Sequence, residues 1–304
     1  MWPRPWLAGA AVFGCLSAVS AAQQPTFTSA VDLVNVGVTV TDNKGAYLTD
    51  LTADDFDITE EGKKQTIRFF ARGDQQDAAP ELHLGLVFDT SGSMDLDIGL
   101  ARSAAVKFLN TLSDAKDMTL VDFDTEVRVA RYDQANFPRM VERIRQRKPE
   151  GFTALYDAIG VYLDGSSGED GRTILVLYTD GGDTRSTIGF GDLMTLVKAS
   201  DVTIYTVGFL NNQPSVVRVD QRLRLTQIAE ATGGQAFFPT TMKDVEAAYD
   251  KVVAQIRAQY SLGYASTDTR QDGQWRKVEI RLKRPGLKDA RIQSRKGYFA
   301  PYKK

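Results

Sequence analysis

Three regimes of hydrophobic periodicity follow one another along this chain of 304 residues. Near the N-terminus, valines alternate with small or polar residues over 34–40, which is the period of a half-buried β-strand. A second alternation over 56–58 meets a turn at 60–63 and resumes at 67–69. We therefore predict a β-hairpin here, within an N-terminal region made of strands.

The middle of the chain has a different pattern, in which short apolar runs are followed by helical spacing. The apolar runs lie at 82–88, 118–123, 173–179 and 202–209. Between and after them, apolar residues recur three or four positions apart at 98–112, 140–144, 155–162, 225–229 and 245–256. Strands that alternate with helices predict an α/β region around a mostly parallel, Rossmann-like sheet.

Strand alternation returns after residue 259. It covers 260–264, 278–282 and 290–292, with turn signals at 271–273 and 284–286. About three strands at each end of the chain are too few for two separate sheets with their own cores. We therefore predict one β-sandwich-like domain built from N- and C-terminal strands, into which the α/β domain is inserted. The predicted boundaries are 23–79, 80–258 and 259–304.

Charge supports pairing of the two β segments. Residues 42–61 hold seven acidic groups against one lysine, and residues 276–304 hold eleven basic groups against two acidic ones. Opposite charges favour docking of one segment on the other. An alternative is that the basic segment binds acidic lipid, polysaccharide or nucleic acid. Because the formal net charge of the chain is only −2, we expect no nucleic-acid partner.

The N-terminus has the three parts of a secretory signal. A short segment with one basic residue, Arg4, precedes an apolar stretch over 7–16, and small residues follow up to Ala22. Residues 1–22 are therefore predicted to be a signal peptide, and the protein to be periplasmic, on the cell surface or secreted. The one cysteine, Cys15, lies in this signal, and a lipoprotein anchored through it is the alternative. No later stretch is long and apolar enough to predict a transmembrane segment in the mature chain.

Candidate chemistry is concentrated where strands of the middle region end. Asp89, Ser91 and Ser93 come directly after its first apolar run, and Asp180 comes directly after its third. Thr153 lies between them in the chain, just before a helical pattern. Open α/β sheets place their sites at the carboxyl ends of strands. Carboxylate and hydroxyl oxygens suit a hard cation, and Mg²⁺ above all.

These residues resemble, in order and spacing, the metal-ion-dependent adhesion site of von Willebrand factor type A (VWA) domains. The resemblance covers residues 80–258, and the whole layout is similar to exported bacterial VWA-related proteins. It implies that the hydroxyls contact the metal directly while the Asp residues often act through water. It also implies Mg²⁺, with Mn²⁺ or Ca²⁺ as alternatives, and a partner protein whose Asp or Glu carboxylate completes the coordination.

Simpler structural roles remain open for the same residues. Ser91, Ser93 or Thr153 would also serve as helix caps, because Ser and Thr favour that position. Asp183, three residues after Asp180, is either an outer-shell group or a solvated loop residue.

Catalysis is the competing functional hypothesis. A metal-dependent phosphohydrolase would use Asp89 as its nucleophile, but such enzymes carry a second acid two residues later, where this chain has Ser91. The chain's one histidine, His83, lies inside a predicted strand, and no hydrolase elbow, zinc-protease pair or phosphate-binding loop motif is present. We therefore expect a binding module for adhesion or assembly, not an enzyme.

Overall fold

A computed structural model describes residues 33–73, 80–112, 114–167 and 170–302 of the chain. From Leu33 onward these residues form one compact unit. The signal-peptide hypothesis for residues 1–22, including the Cys15 alternative, lies outside the described residues. Within the described ranges, no helix has the length and apolar character that crossing a membrane requires.

The secondary structure follows the three regimes of the sequence. The strands of the described residues are β1 (Leu33–Thr41), β2 (Phe56–Glu60), β3 (Lys63–Gln65), β4 (Ile67–Arg72), β5 (Leu82–Asp89), β6 (Asp117–Phe123), β7 (Val127–Asp133), β8 (Arg172–Thr179), β9 (Thr203–Gly208), β10 (Ala236–Phe237), β11 (Tyr260–Ala265), β12 (Trp275–Leu282), β13 (Arg291–Ser294) and β14 (Gly297–Phe299). The α-helices are α1 (Ile98–Thr111), α2 (Phe137–Gln146), α3 (Leu155–Gly165), α4 (Phe190–Ala199), α5 (Ser215–Ala231) and α6 (Met242–Ala258).

The central sheet has six strands in the order β10-β9-β8-β5-β6-β7. Every pairing in it is parallel except that between β6 and β7. One face packs against α1, α2 and α6, and the other packs against α3, α4 and α5. Because both faces are covered, β5 and β8 are buried along nearly their whole length and appear in the sequence as continuous apolar runs.

Strands from both ends of the chain build two further sheets, in the orders β13-β1-β11-β4 and β14-β12-β2-β3. The two sheets share one apolar core, to which Val36 and Tyr260 contribute from the first sheet and Phe56, Ile58 and Val278 from the second. The fold class inferred from the sequence is confirmed: a mostly parallel α/β layer interrupts a sandwich-like pair of antiparallel sheets.

The predicted hairpin is only partly correct. The turn after β2 leads into β3, as expected, but the alternation over 67–69 belongs to β4, which lies in the other sheet beside β11. The crossing places aromatic rings of both sheets in contact, with the centroids of Phe56 and Phe70 6.1 Å apart. An alternating pattern shows which side chains of a strand are buried, but it does not show which sheet the strand joins. The change of sheet between β3 and β4 therefore could not be predicted from it.

The acidic and basic segments do meet. The Arg284 guanidinium donates from Nε to Oδ1 of Asp55 at 2.9 Å and from Nη2 to Oδ2 at 2.7 Å, and its Nη1 lies 2.6 Å from Oδ2 of Asp50. Such a two-pronged contact is the geometry in which arginine binds carboxylates most strongly. Opposite charges thus contribute to docking of the two β segments.

Candidate metal centre

Asp89 lies at the carboxyl end of β5, between β8 and β6 in the sheet, and is fully buried. Its Oδ1 accepts the Ser91 backbone N–H at 2.9 Å, and its Oδ2 accepts the Thr179 hydroxyl at 2.6 Å. Thr179 ends β8 and directly precedes Asp180. The side chain of Asp89 therefore joins the first and third loops of the candidate site.

Ser93 lies in a short 3₁₀ turn over Gly92–Leu96, and Ser91 directly precedes this turn. Their hydroxyl oxygens are 3.0 Å apart, with Ser91 buried and Ser93 exposed. Ser91 occupies the N-cap position of this turn, but its side chain makes no capping hydrogen bond. The capping interpretation thus fails for Ser91, and its hydroxyl faces that of Ser93 instead.

Thr153 is brought to the same edge by backbone hydrogen bonds. The Gly92 N–H donates to the Gly151 carbonyl at 3.1 Å, which ties the second loop to the first. Thr153 is buried, and its carbonyl accepts the backbone N–H groups of Thr184 and Arg185. None of these bonds uses the Thr153 hydroxyl. The capping interpretation is wrong here also, because Ala154 holds the N-cap position of α3.

Asp180 follows β8 in a turn that needs a glycine, since Gly181 has a φ of +86°. The carboxylate is buried, and its Oδ2 accepts the Gln213 side-chain amide at 2.8 Å. Its Oδ1 is buried with no hydrogen-bond partner in the described part of the chain. A buried carboxylate oxygen without a partner is costly, so this oxygen is suited to bind a cation.

The two carboxylates are electrostatically unfavourable as they stand. Burial, and then the negative charge of Asp180, raise the pKa of Asp89 to about 7. Burial also raises the pKa of Asp180, and the nearby Ser93 hydroxyl opposes that rise. Neither carboxylate forms an ion pair with a described residue. A divalent cation beside them would supply the missing positive charge.

The donor set consists of oxygen atoms and fits a hard cation. Nowhere in the described ranges does a group of three His, Cys, Asp or Glu side chains come together in a way that could hold a metal. A metal at this edge of the sheet would therefore depend on hydroxyl oxygens together with Asp89 and Asp180. Oxygen ligands of this kind are what Mg²⁺ and Ca²⁺ select, whereas zinc favours nitrogen and sulfur.

Sequence reasoning missed two residues that support the carboxylates, Thr179 and Gln213. In the sequence Thr179 is only the end of an apolar run, although its position before Asp180 places it at the site. Gln213 carries no sequence signal, because it reaches Asp180 only once β9 has been placed beside β8.

Asp183 proves to be a structural loop residue: its carboxylate accepts the Tyr156 N–H at 3.0 Å and orders the start of α3.

His83 lies at the other end of β5, as a buried strand residue. Its Nδ1 is 3.0 Å from Oδ2 of Asp117 and its Nε2 is 3.1 Å from the Asp170 carbonyl oxygen. The strand carries the chain roughly 20 Å from His83 to Asp89. His83 therefore cannot act as a base at the candidate site.

Solved structures with a similar fold have low sequence identity to this chain. The von Willebrand factor domain of the type V pili tip protein Mfa5 from Porphyromonas gingivalis is 12% identical, with a TM-score of 0.49 over 59% of this chain and 95% of that chain. A von Willebrand factor type A protein from Catenulispora acidiphila is 13% identical, with a TM-score of 0.47 over 92% of this chain and 76% of that chain.

Sequence comparison finds a relative and a family. An uncharacterized protein of Synechocystis is 28% identical over 148 residues, which are 46% of this chain and 34% of the relative. The match thus spans about a third of the relative's length. The family model of the von Willebrand factor type A domain matches residues 83–251, which are more than half of the chain and include all of the central sheet except Leu82. The chain, with its hydroxyl and carboxylate loops at the edge of that sheet, therefore belongs to the von Willebrand factor type A domain family.

Proposed function

We propose that Asp89, Ser91, Ser93, Thr153 and Asp180 bind Mg²⁺, with Mn²⁺ or Ca²⁺ as alternatives, and that the protein is an exported, cation-dependent protein-binding module for adhesion or assembly. The observation that carries the proposal is the unpartnered, buried Oδ1 of Asp180 beside a second buried carboxylate. The convergence of three loops on one edge supports it, since isolated caps would have no reason to converge.

The bound cation would supply a point of attachment for a negatively charged oxygen. Three of the five proposed donors are neutral hydroxyls, and five donors fill at most five of the six positions of an octahedral Mg²⁺, which leaves one position for an incoming oxygen. The exposed position of Ser93 puts this side of the site within reach of another molecule. We therefore infer that the partner is a protein that offers an Asp or Glu carboxylate.

The phosphohydrolase alternative finds no support in the geometry of Asp89. Both of its carboxylate oxygens accept hydrogen bonds, one from Ser91 and one from Thr179. A nucleophile must present an oxygen to the substrate, and general-acid catalysis needs a second proton-donating group within reach. The side chain two residues after Asp89 is a serine that contacts another serine.

Calorimetric titration of the protein with MgCl₂ tests the proposal. Thr153→Val removes a donor oxygen with little change in shape, and Thr111→Val, at the C-terminal end of α1, is the matched control. We expect the wild type and Thr111→Val to bind Mg²⁺ with the same affinity and Thr153→Val to bind at least 10-fold more weakly. Equal affinity in all three proteins would refute the site. Mg²⁺-dependent turnover of a phosphomonoester that Asp89→Asn abolishes would instead assign a hydrolase.

A further inference from the structure

Helix α5 has an apolar stripe on its outer side. The inner side packs on the sheet through Leu225, Ile228 and Ala229. On the other side, Val216 is 86% exposed, Val219 is 69% exposed and Leu223 is 55% exposed. Spacings of three and four residues place these side chains in one row, about 10 Å long. We call these three residues the α5 stripe.

A row of three exposed apolar residues requires an explanation, whereas single exposed apolar residues do not. Isolated apolar side chains are ordinary on protein surfaces, whereas contiguous apolar patches mark interaction sites. A surface helix normally places polar residues opposite its buried face. The first half of α5 departs from that rule at Val216, Val219 and Leu223, with Val217, which is 40% exposed, as a further apolar position beside the row.

The α5 stripe begins at the edge of the sheet that holds the candidate metal site. The loop after β9 leads directly into α5, and Gln213 in this loop donates to Asp180. In the same loop, Asn212 donates to the Asp97 carboxylate at 3.0 Å, close to the loop that carries Ser91 and Ser93. Val216 therefore comes only three residues after a residue that contacts a proposed metal ligand.

The charged groups beside the stripe are one ion pair and one unpaired cation. Asp220, four residues after Val216, is paired with Arg224, whereas Arg222, three residues after Val219, forms no ion pair with any residue that the structure describes. The Arg222 guanidinium lies 4.0 Å from the centroid of the Phe238 ring. This unpaired cation beside an apolar row, next to a proposed divalent cation, complements a segment that is both acidic and apolar.

We propose that the α5 stripe and the candidate metal site form one continuous docking surface for an acidic, apolar segment of a partner protein. The segment places a carboxylate on the metal and apolar side chains on Val216, Val219 and Leu223, along a row about 10 Å long. This inference rests on the proposed function and adds the chemistry of the partner. The metal fixes one point, and the stripe selects among carboxylate-bearing proteins.

Selection from a phage-displayed library of random 12-residue peptides, on the wild-type protein in MgCl₂, tests the inference. We expect the enriched peptides to share an Asp or Glu with apolar residues close to it in sequence. Their affinity, measured by fluorescence anisotropy, is expected to fall at least 10-fold in Val219→Arg and to vanish in EDTA. Val161→Arg, an exposed valine of α3, is the matched control and is expected to bind like the wild type.

The outcomes separate the two proposals. Acidic peptides that require Mg²⁺ but bind Val219→Arg as tightly as the wild type would overturn the stripe and leave the metal function standing. Absence of any Mg²⁺-dependent peptide would overturn both.

Sedimentation equilibrium tests whether a second copy of the chain occupies the stripe. A wild-type dimer that Val219→Arg converts to monomer would assign the stripe to that second copy and overturn the inference. Calorimetry with MgCl₂ alone is expected to give the same affinity for Val219→Arg and the wild type.

Discussion

The Gln213 side-chain amide donates a 2.8 Å hydrogen bond to Oδ2 of Asp180, while Oδ1 of the same carboxylate is buried without a partner among the described residues. Because one oxygen is tied, the carboxylate cannot rotate freely. The other oxygen is the one available to a cation. Gln213 thus acts on the candidate site through Asp180, as a positioning residue.

Replacing Gln213 by leucine is expected to weaken Mg²⁺ binding about 10-fold, because outer contacts of this kind orient metal ligands. Leucine keeps much of the side-chain volume but cannot donate the hydrogen bond. Calorimetric titration with MgCl₂ measures the effect, and Gln227→Leu, at an exposed glutamine of α5, is the control. An unchanged affinity in Gln213→Leu would show that Asp180 is oriented without it.

The candidate site shows what a sequence contains and what it lacks. Asp89 and Asp180 could be placed at one sheet edge because each directly follows an apolar run, and parallel strands end together. Gln213 could not, because its contact with Asp180 depends on the course of a loop between β9 and α5. The supporting hydrogen bond of Thr179 was equally hidden, since a threonine at the end of a strand has many structural roles.

Mg²⁺ is expected to raise the thermal stability of the wild-type protein. A ligand at 100 times its Kd stabilises the folded state by about 2.7 kcal/mol, which corresponds to a Tm increase of about 5–10 °C for a domain of this size. The cation would also relieve the repulsion between Asp89 and Asp180. Differential scanning calorimetry with and without MgCl₂ measures the shift.

Asp89→Asn and Thr153→Ala are expected to lose most of this Mg²⁺-induced Tm increase while remaining folded in EDTA. The amide introduced by Asp89→Asn keeps one acceptor oxygen, so the substitution removes the charge and one of the two hydrogen bonds that Asp89 accepts from Ser91 and Thr179. A full Mg²⁺-induced increase in both variants would mean that the cation stabilises the protein elsewhere.

The contact between Arg284 and Asp55 predicts a pH dependence of stability. Hydrogen bonding to Arg284 holds the pKa of Asp55 well below its ordinary value of 3.8. The ionised carboxylate therefore stabilises the folded state above that value, and the contribution is lost as the pH falls through the lower, folded-state pKa. Arg284→Met is expected to lower the urea midpoint of unfolding at pH 7. The difference between the midpoints of the variant and the wild type is expected to be smaller at pH 3 and smaller still at pH 2. Lys283→Met is the control, and a difference independent of pH would contradict the assignment.

Gly85 provides a test of packing at the centre of the parallel sheet. A Cβ at this position would lie 2.2 Å from Cζ of Tyr162 on α3. Gly85→Ala is therefore expected to destabilise the protein by about 1–3 kcal/mol, as overpacking of a core does. Urea unfolding measures the change. Gly99→Ala is the control, because a Cβ there meets no atom within 4 Å, and at the second residue of α1 it is expected to stabilise the protein by less than the roughly 0.5–1 kcal/mol typical of the middle of a helix.

The elements that sequence analysis missed are those with weak patterns of their own. Strand β7 is half exposed along its length and exists because it pairs with β6 at the edge of the sheet. Strand β10 has two residues and depends on β9 in the same way. Helix α4 buries only Leu193 and Val197, which are too few apolar positions to establish a helical period. Long buried strands and amphipathic helices could be predicted, whereas pairing at edges could not.

The domain organisation remains a prediction, and the structure supplies a specific argument for it. The α/β region has its own apolar cores on the two faces of its sheet, whereas the core of the flanking sheets draws on both ends of the chain. The chain leaves these sheets after β4 and rejoins them at β11, and the two strands are paired, with Arg72 opposite Tyr260. Directly beside this pair, the Gly73 N–H donates to the Gln259 carbonyl at 2.9 Å. Neighbouring ends are typical of inserted domains.

A protein of residues 80–258 is therefore expected to unfold cooperatively on heating. Residues 23–79 alone are expected to show no cooperative transition, because β1 and β4 find their described partners only among the C-terminal strands. Joining residues 23–73 to 259–304 through a short glycine-serine linker is expected to restore a cooperative transition, since the two joined ends are already hydrogen-bonded neighbours. Circular dichroism melts of the three proteins measure this. A cooperative melt of residues 23–79 alone, or none in the joined protein, would refute the composite β domain.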